Sequence, residues 1–139
     1  MNPLNRKWLL MESQSSIIYN AVRLTNESVE LLKNRFPPVH PNEFYHHMTI
    51  NFGVKEYPET LGETVELTVV GYKEDESAQA VVVTGISSKN KIPHITLSTA
   101  EGVKPVYSNQ MLQDGFEQIE PFKITGTVSS FTRNGWVDG

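Results

Sequence analysis

Hydrophobic and polar positions alternate along several short segments of the chain, which is the pattern of a half-buried β-strand. These segments are also rich in β-branched and aromatic residues, which favour strands. Six strands are predicted in this way, over residues 15–24, 44–52, 64–73, 78–86, 93–99 and 122–131. The third and fourth are joined by an acidic turn at residues 74–77 and therefore form a β-hairpin.

One helix is predicted between the first two strands. Thr25 can cap its N-terminus, and Pro37-Pro38 ends it. A further helical turn is predicted at residues 110–113, and the tail, residues 132–139, is predicted to be irregular. Six strands and one firm helix indicate an α+β protein with a mostly antiparallel sheet.

Length and composition narrow the class of protein. The chain has 139 residues, which suits a single domain over residues 1–139 with a core from about 15 to 131. It has no cysteine, so disulfides, thiolate zinc sites and a cysteine nucleophile are excluded. The apolar residues 8–11 are too few for a signal peptide, and no apolar run reaches the ~20 residues of a membrane span. A cytoplasmic location without membrane contact is therefore expected.

The net charge argues against binding along a nucleic-acid backbone. There are 12 Lys+Arg against 16 Asp+Glu, a formal net charge of −4, and the sequence has no basic stripe. Proteins that bind long nucleic acids need such a stripe to neutralise phosphates. No long nucleic acid is therefore expected as a partner, and a nucleotide substrate should be small or held by a few placed groups.

Two segments share a motif of the form His-apolar-Thr-apolar. The first is His47-Met48-Thr49-Ile50 and the second is His94-Ile95-Thr96-Leu97, and each falls in a predicted strand. Successive side chains of a strand point to opposite faces, so the histidine and threonine of each motif share one face. The apolar residues on the other face can pack on a core, which leaves both histidines and both threonines free to face a site.

This set of side chains suits the cleavage of a phosphodiester. One group must take a proton from the nucleophile while another gives one to the leaving oxygen, and two histidines with pKa values of about 6.5 can divide these roles. A threonine hydroxyl can donate a hydrogen bond to a non-bridging oxygen as charge builds up there. The predicted catalytic residues are His47, Thr49, His94 and Thr96.

No metal site and no cofactor are predicted, because imidazoles and hydroxyls can supply both proton transfer and charge stabilisation. His46 and His47 are adjacent, but neighbouring residues of a strand point to opposite faces and cannot easily share one ion. His46 is therefore expected to be a partly buried structural residue or a neighbour of the site. His40, in a proline-rich loop, is expected to be solvated.

Paired His-x-Thr-x motifs in strands resemble the signature of the 2H phosphoesterase superfamily. Its members include RNA 2′,3′-cyclic phosphodiesterases, the cyclic phosphodiesterase parts of tRNA ligases and 2′,5′-phosphodiesterases. The resemblance covers about residues 15–130 and implies one 2H phosphoesterase-like α+β domain of two lobes, with mostly antiparallel sheets around a central cleft. It also implies that the two motifs face each other across that cleft.

Residues 46–50 and 104–109 look most like the small phage-type members that cleave the cyclic oligonucleotides of bacterial immunity. This resemblance implies a metal-independent phosphodiesterase that cleaves 3′,5′ bonds of small cyclic oligonucleotide signals, as in phage evasion of CBASS immunity. Two alternatives stay open. One is an RNA 2′,3′-cyclic phosphodiesterase acting on a terminal cyclic phosphate, and the other is a module that binds a cyclic nucleotide without cleaving it.

Four further residues are predicted to bind the substrate: Tyr19, Lys104, Tyr107 and Trp136. Lys104 lies shortly after the second motif, where its cation could reach a phosphate, and a solvated surface lysine is the alternative. Each of the three aromatic residues could stack on a base. The alternatives are core packing for Tyr19 and a docked hydrophobic anchor for Trp136.

Overall fold

The computed structural model describes residues 17–52, 56–86 and 88–138. Eight strands and two helices lie in this part of the chain. In chain order they are β1 (Ile17–Leu24), α1 (Asn26–Arg35), β2 (Asn42–Glu43), β3 (His47–Phe52), β4 (Thr64–Glu74), β5 (Ala78–Thr84), β6 (His94–Thr99), α2 (Tyr107–Gln113), β7 (Glu117–Thr132) and β8 (Gly135–Val137). Residues 15 and 16 of the first predicted strand, and the apolar residues 8–11, lie outside the described residues.

Six of the strands close into an antiparallel barrel. Their order around the barrel is β1-β3-β6-β5-β4-β7, and β7 then pairs with β1. β7 closes the barrel because it is long enough for two partners: residues 117–127 pair with β4 and residues 126–132 pair with β1. The short strand β8 pairs with the end of β7, and β2 pairs with β6.

The predicted fold of two α+β lobes around a central cleft is wrong. Of the residues that the structure describes, strands account for 50% and helices for 14%, and six of the strands form one closed barrel. Hydrophobic alternation locates strands but does not identify their partners, and the partners decide between two sheets and one barrel. The tail predicted to be irregular also contains β8, whose Trp136 pairs with Phe131.

The barrel interior is filled by the apolar side chains that alternate along the strands. Val22 of β1 pairs with Met48 of β3 on one side and with Val128 of β7 on the other, and all three are fully buried. Leu67 and Ile124 make the same kind of buried pair between β4 and β7. Since every second residue of a strand faces inward, the residues between them face outward. On β3 and β6 these outward positions hold the histidines and threonines of the two motifs.

The two helices lie against the barrel. α1 begins where the sequence predicts, with Thr25 Oγ1 accepting a hydrogen bond of 3.2 Å from the backbone N–H of Ser28, and its Leu32 joins the main core. α2 packs on the outer face of β5, where Leu112 contacts the cluster that contains Val82. Within the described ranges, neither helix is long and apolar enough to cross a membrane.

Candidate active site

Strands β3 and β6 are neighbours in the barrel, and their register brings the two motifs together. Met48 pairs with Ile95, and both side chains are fully buried. Because side chains alternate along a strand, the residues that flank this pair, His47 and Thr49 on β3 and His94 and Thr96 on β6, point away from the core. Neighbouring strands of a sheet lie about 4.7–4.9 Å apart. The four side chains therefore form one cluster on the outside of one wall, and they do not face each other across a cleft between lobes.

A pocket of about 190 Å³ opens over this cluster, and all four predicted catalytic residues line it. The other lining residues are mostly apolar, and two of them carry amides: Tyr19, Phe44, Phe52, Asn90, Pro105, Val106 and Asn109. The polar groups of the wall are thus mainly two imidazoles, two hydroxyls and two amides. A site of this kind can hold one small polar group within an apolar surround.

The loop after β5 reaches the pocket because it is tied to β3. The hydroxyl of Ser88 donates a hydrogen bond of 2.8 Å to the carbonyl of Thr49, and the backbone N–H of Lys89 donates one of 2.7 Å to the carbonyl of Ile50. The Ser88 hydroxyl also accepts from the backbone N–H of Asn90 at 3.1 Å. These bonds place Asn90 at the rim of the pocket.

His94 is buried, and its ring is held by a backbone carbonyl. Its Nδ1 lies 2.7 Å from the carbonyl oxygen of Ile92, and its residue exposure is 6%. A carbonyl oxygen can only accept, so Nδ1 carries a proton and the neutral ring keeps a lone pair on Nε2. Burial lowers the pKa of His94, and the bond to Ile92 opposes that shift only in part. At neutral pH the ring is therefore neutral, with Nε2 left for the pocket.

His47 is half-buried between other rings. Its Nδ1 lies 2.6 Å from Nδ1 of His46, and its ring stacks on Tyr19 with centroids 5.0 Å apart. Burial, and then the neighbouring His46 and His94, lower the pKa of His47 to about 3. In the free protein neither pocket histidine keeps the ordinary pKa that the sequence predicts. The negative charge of a bound phosphodiester opposes these shifts and favours the protonated ring.

The prediction that His46 and His47 point to opposite faces is wrong. Strict alternation applies only within a strand, and β3 begins at His47. Tyr45, just before them, has a left-handed φ of 61°, so the chain that leads into β3 is not a regular strand, and here the two imidazoles lie in contact. In the part of the chain that the structure describes, no three histidine or carboxylate side chains are grouped as possible metal ligands.

The hydroxyl of Thr96 is fixed by two neighbours. It donates a hydrogen bond of 3.3 Å to the carbonyl of Pro105, and its oxygen lies 2.9 Å from the hydroxyl oxygen of Ser108. Ser108 is fully buried on α2. These contacts bind the segment before α2 to β6 and so form one wall of the pocket.

Two of the four predicted substrate-binding residues lie at the site. Tyr19 lines the pocket and stacks on Phe131 as well as on His47, and burial raises its pKa to about 12, so its phenol stays protonated. Trp136 meets the rings of Tyr19 and His47 edge-on, at centroid distances of 5.8 and 5.7 Å. Its indole also lies 5.5 Å from the guanidinium of Arg23. Trp136 thus packs against Tyr19 and His47, which line the pocket, without lining it itself.

The other two predicted substrate-binding residues do not line the pocket. The hydroxyl of Tyr107 donates a hydrogen bond of 2.6 Å to Oδ2 of Asp75, and its ring packs with the cluster between α2 and β5. Lys104 is exposed on the segment between β6 and α2. Tyr107 is therefore engaged by the hairpin turn, and Lys104 lies on the surface beside Pro105, which does line the pocket.

Sequence reasoning missed several pocket residues. Pro105, Val106 and Asn109 fall in the segment 104–109 that the resemblance singles out, which is the one signal pointing to them. Phe44 and Asn90 reach the pocket from irregular segments. Loops have no periodicity from which a side-chain direction can be predicted.

One segment of the chain matches a known protein family. Residues 63–129 match the family described as fungal tRNA ligase phosphodiesterase domain. That family is of the 2H phosphoesterase type. The matched segment is just under half of the chain and contains the second motif, with His94 and Thr96. It does not bear out the closer resemblance to phage-type members. No curated protein sequence matches the chain.

Proposed function

We propose that the protein is a 2H-type phosphodiesterase that opens 2′,3′-cyclic phosphates of ribonucleotides. The observation that carries this proposal is the single pocket into which both His-x-Thr motifs project from neighbouring strands. The similarity to the phosphodiesterase domain of fungal tRNA ligases supports the same chemistry. It favours the RNA-end substrate over the cyclic oligonucleotide expected from the sequence.

The proposed reaction is a hydrolysis in which two imidazoles exchange protons with water and a ribose oxygen. One histidine takes a proton at Nε2 as the water oxygen bonds to phosphorus. The bond from phosphorus to one ribose oxygen breaks, and the other histidine gives that oxygen a proton from its Nε2. In this proposal the hydroxyl of Thr49, which lines the pocket, donates a hydrogen bond to a non-bridging oxygen as charge increases there.

The volume of the pocket supports a substrate of which only a small end enters the site. At about 190 Å³ the pocket is below the range of roughly 300–1,000 Å³ that holds a whole drug-sized ligand. It suits a cyclic phosphate and part of one nucleoside better than an entire cyclic di- or trinucleotide. The formal net charge of −4 also favours a short substrate over a long RNA strand.

A substrate panel tests the proposal. The protein is incubated in EDTA with nucleoside 2′,3′-cyclic monophosphates, a short RNA ending in a 2′,3′-cyclic phosphate, and cyclic di- and trinucleotides, and the products are separated. We expect the cyclic phosphates to become monoesters, with no product from a variant carrying both His47→Ala and His94→Ala. Cleavage of the cyclic oligonucleotides alone would replace the proposed substrate. Recovery of every substrate unchanged would leave a binding module.

A further inference from the structure

Both pocket histidines have their Nδ1 atom engaged away from the pocket. Nδ1 of His94 donates to the carbonyl oxygen of Ile92 at 2.7 Å, and Nδ1 of His47 lies 2.6 Å from Nδ1 of His46. In each ring Nε2 is the nitrogen left for a substrate. The two rings are therefore held in the same way. The partner of His94 is a backbone carbonyl, whereas the partner of His47 is the side chain of His46, which is not part of the His-x-Thr motif.

His46 and His47 meet edge to edge. Their ring centroids are 4.7 Å apart and their planes differ by 21°. The distance between the centroids is close to the distance between the two Nδ1 atoms plus the two ring radii. The line that joins the two Nδ1 atoms therefore lies nearly in the plane of each ring. That is the direction in which an imidazole N–H and lone pair form their strongest hydrogen bond. Tyr19, by contrast, contacts His47 through its face.

The chemistry proposed for His47 sets the direction of this hydrogen bond. A bond between two imidazole nitrogens has one donor and one acceptor. A histidine that transfers a proton at Nε2 alternates between the protonated and the neutral state at that atom, so Nδ1 keeps its proton in both states. Nδ1 of His47 must then donate, and Nδ1 of His46 must accept.

We propose that His46 is a positioning residue that accepts the Nδ1 proton of His47 and so holds Nε2 of His47 toward the pocket. This inference rests on the proposed function. His46 does for His47 what the carbonyl of Ile92 does for His94. An imidazole differs from a carbonyl because it can be protonated, and an imidazole that is protonated on both nitrogens has no lone pair with which to accept.

The surroundings of His46 favour its neutral, accepting form. The residue is exposed, but neighbouring groups partly desolvate its ring, and this desolvation and then the positive charge of Arg23 lower the pKa of His46. The titratable or charged groups that face the pair are Arg23 and Tyr19 on β1 and His94 on β6. As the pH falls, protonation of His46 should remove the acceptor and with it the fixed orientation of His47.

Nitrogen-15 NMR of the imidazole rings in the free, full chain tests the direction of the bond without any substrate. We expect His47 to carry its proton on Nδ1 in the wild type and in His46→Asn, whose amide oxygen is an acceptor that does not titrate. His46→Phe keeps a ring but no acceptor, and should give His47 a mixture of tautomers. His94 serves as the internal control and should keep its Nδ1 proton in all three proteins. Finding the proton of His47 on Nε2 in the wild type overturns the inference.

The rate of hydrolysis of a 2′,3′-cyclic phosphate provides a second test of the role of His46. We expect His46→Phe to lower kcat by about 10- to 100-fold with little change in KM, since a misaligned catalytic ring costs rate more than binding. His46→Asn should stay within a few-fold of wild type and should lose less activity toward acid. A wild-type kcat in His46→Phe overturns the inference. If the wild type opens no cyclic phosphate, the proposed function fails, and the NMR experiment still decides the role of His46.

Discussion

Met48 and Ile95 pair across strands β3 and β6, and both side chains are fully buried inside the barrel. Because side chains alternate along a strand, this one pair also determines which residues lie together outside: His47 and Thr49 on β3, and His94 and Thr96 on β6. A slip of one residue would move every side chain of the slipped strand to the other face. Core packing and the arrangement of the candidate site therefore depend on the same register.

Removing either pocket imidazole should nearly abolish turnover. His47→Ala and His94→Ala each delete a group that typically contributes about 10²–10⁴-fold to the rate, and kcat on a 2′,3′-cyclic phosphate measures the loss. His40→Ala is the matched control, because His40 lies away from the pocket and binds the carbonyl of Asp75 at 2.9 Å. Near wild-type rates in both pocket variants would show that the site assignment is wrong.

The protein should lose stability in mild acid because its pocket histidines, one buried and one half-buried, are neutral in the folded protein. Burial lowers the pKa of His94, and lowers that of His47 to about 3, whereas an unfolded chain has a value of about 6.5. This part of the stability is fully present above pH ~6.5 and is lost as the pH falls, since the unfolded chain then binds more protons than the folded one.

Urea unfolding at several pH values measures this effect. The free energy of unfolding should fall between about pH 6.5 and pH 4, by at most about 1.4 kcal/mol per pH unit for one histidine. His47→Asn cannot titrate and should flatten the slope, and adding His94→Asn should flatten it further. If the free energy of unfolding of His47→Asn depended on pH as steeply as that of the wild type, His47 would not remain neutral in the folded protein.

A feature can be predicted from the sequence when it depends only on residues that are close together along the chain. Alternation along a strand is local, and it is enough to put His47 and Thr49 on one face of their strand, and His94 and Thr96 on one face of theirs. The capped start of α1 at Thr25 is equally local. Each of these predictions depends only on residues a few positions apart.

What the sequence cannot predict depends on distant pairings. The closed barrel requires β7 to have two partners, and nothing within residues 117–132 states which strands those are. The contact between His46 and His47 lies at the start of β3, next to a left-handed residue, Tyr45, where the regular alternation of a strand does not hold. Tyr107 is close to the second motif along the chain, yet its hydroxyl binds Asp75 on the hairpin.

Barrel closure should be sensitive to a side chain at Gly126. β7 changes partner here, since Gly126 pairs with Val65 of β4 and with Leu24 of β1. A Cβ at this position would lie 2.5 Å from Cγ1 of Val22 and 2.7 Å from the carbonyl oxygen of Arg23. Gly126→Ala should therefore lower the free energy of unfolding by about 1–3 kcal/mol, measured by urea unfolding. Glu120→Ala, exposed on the same strand, is the control, and an equal effect in both would contradict this explanation.

Tyr19 should act on turnover more than on substrate binding. Its ring lines the pocket but stacks on His47 at 5.0 Å and on Phe131 at 5.2 Å, so it holds the imidazole in place. An aromatic pair contributes about 0.5–1.5 kcal/mol beyond its buried area, so Tyr19→Leu should lower kcat by roughly 2- to 10-fold with little change in KM. Tyr19→Phe keeps the stacked ring and should remain close to wild type. If Tyr19→Leu instead raised KM and left kcat unchanged, Tyr19 would bind the ground state and the transition state equally. That result is expected if a base of the substrate stacks on its ring.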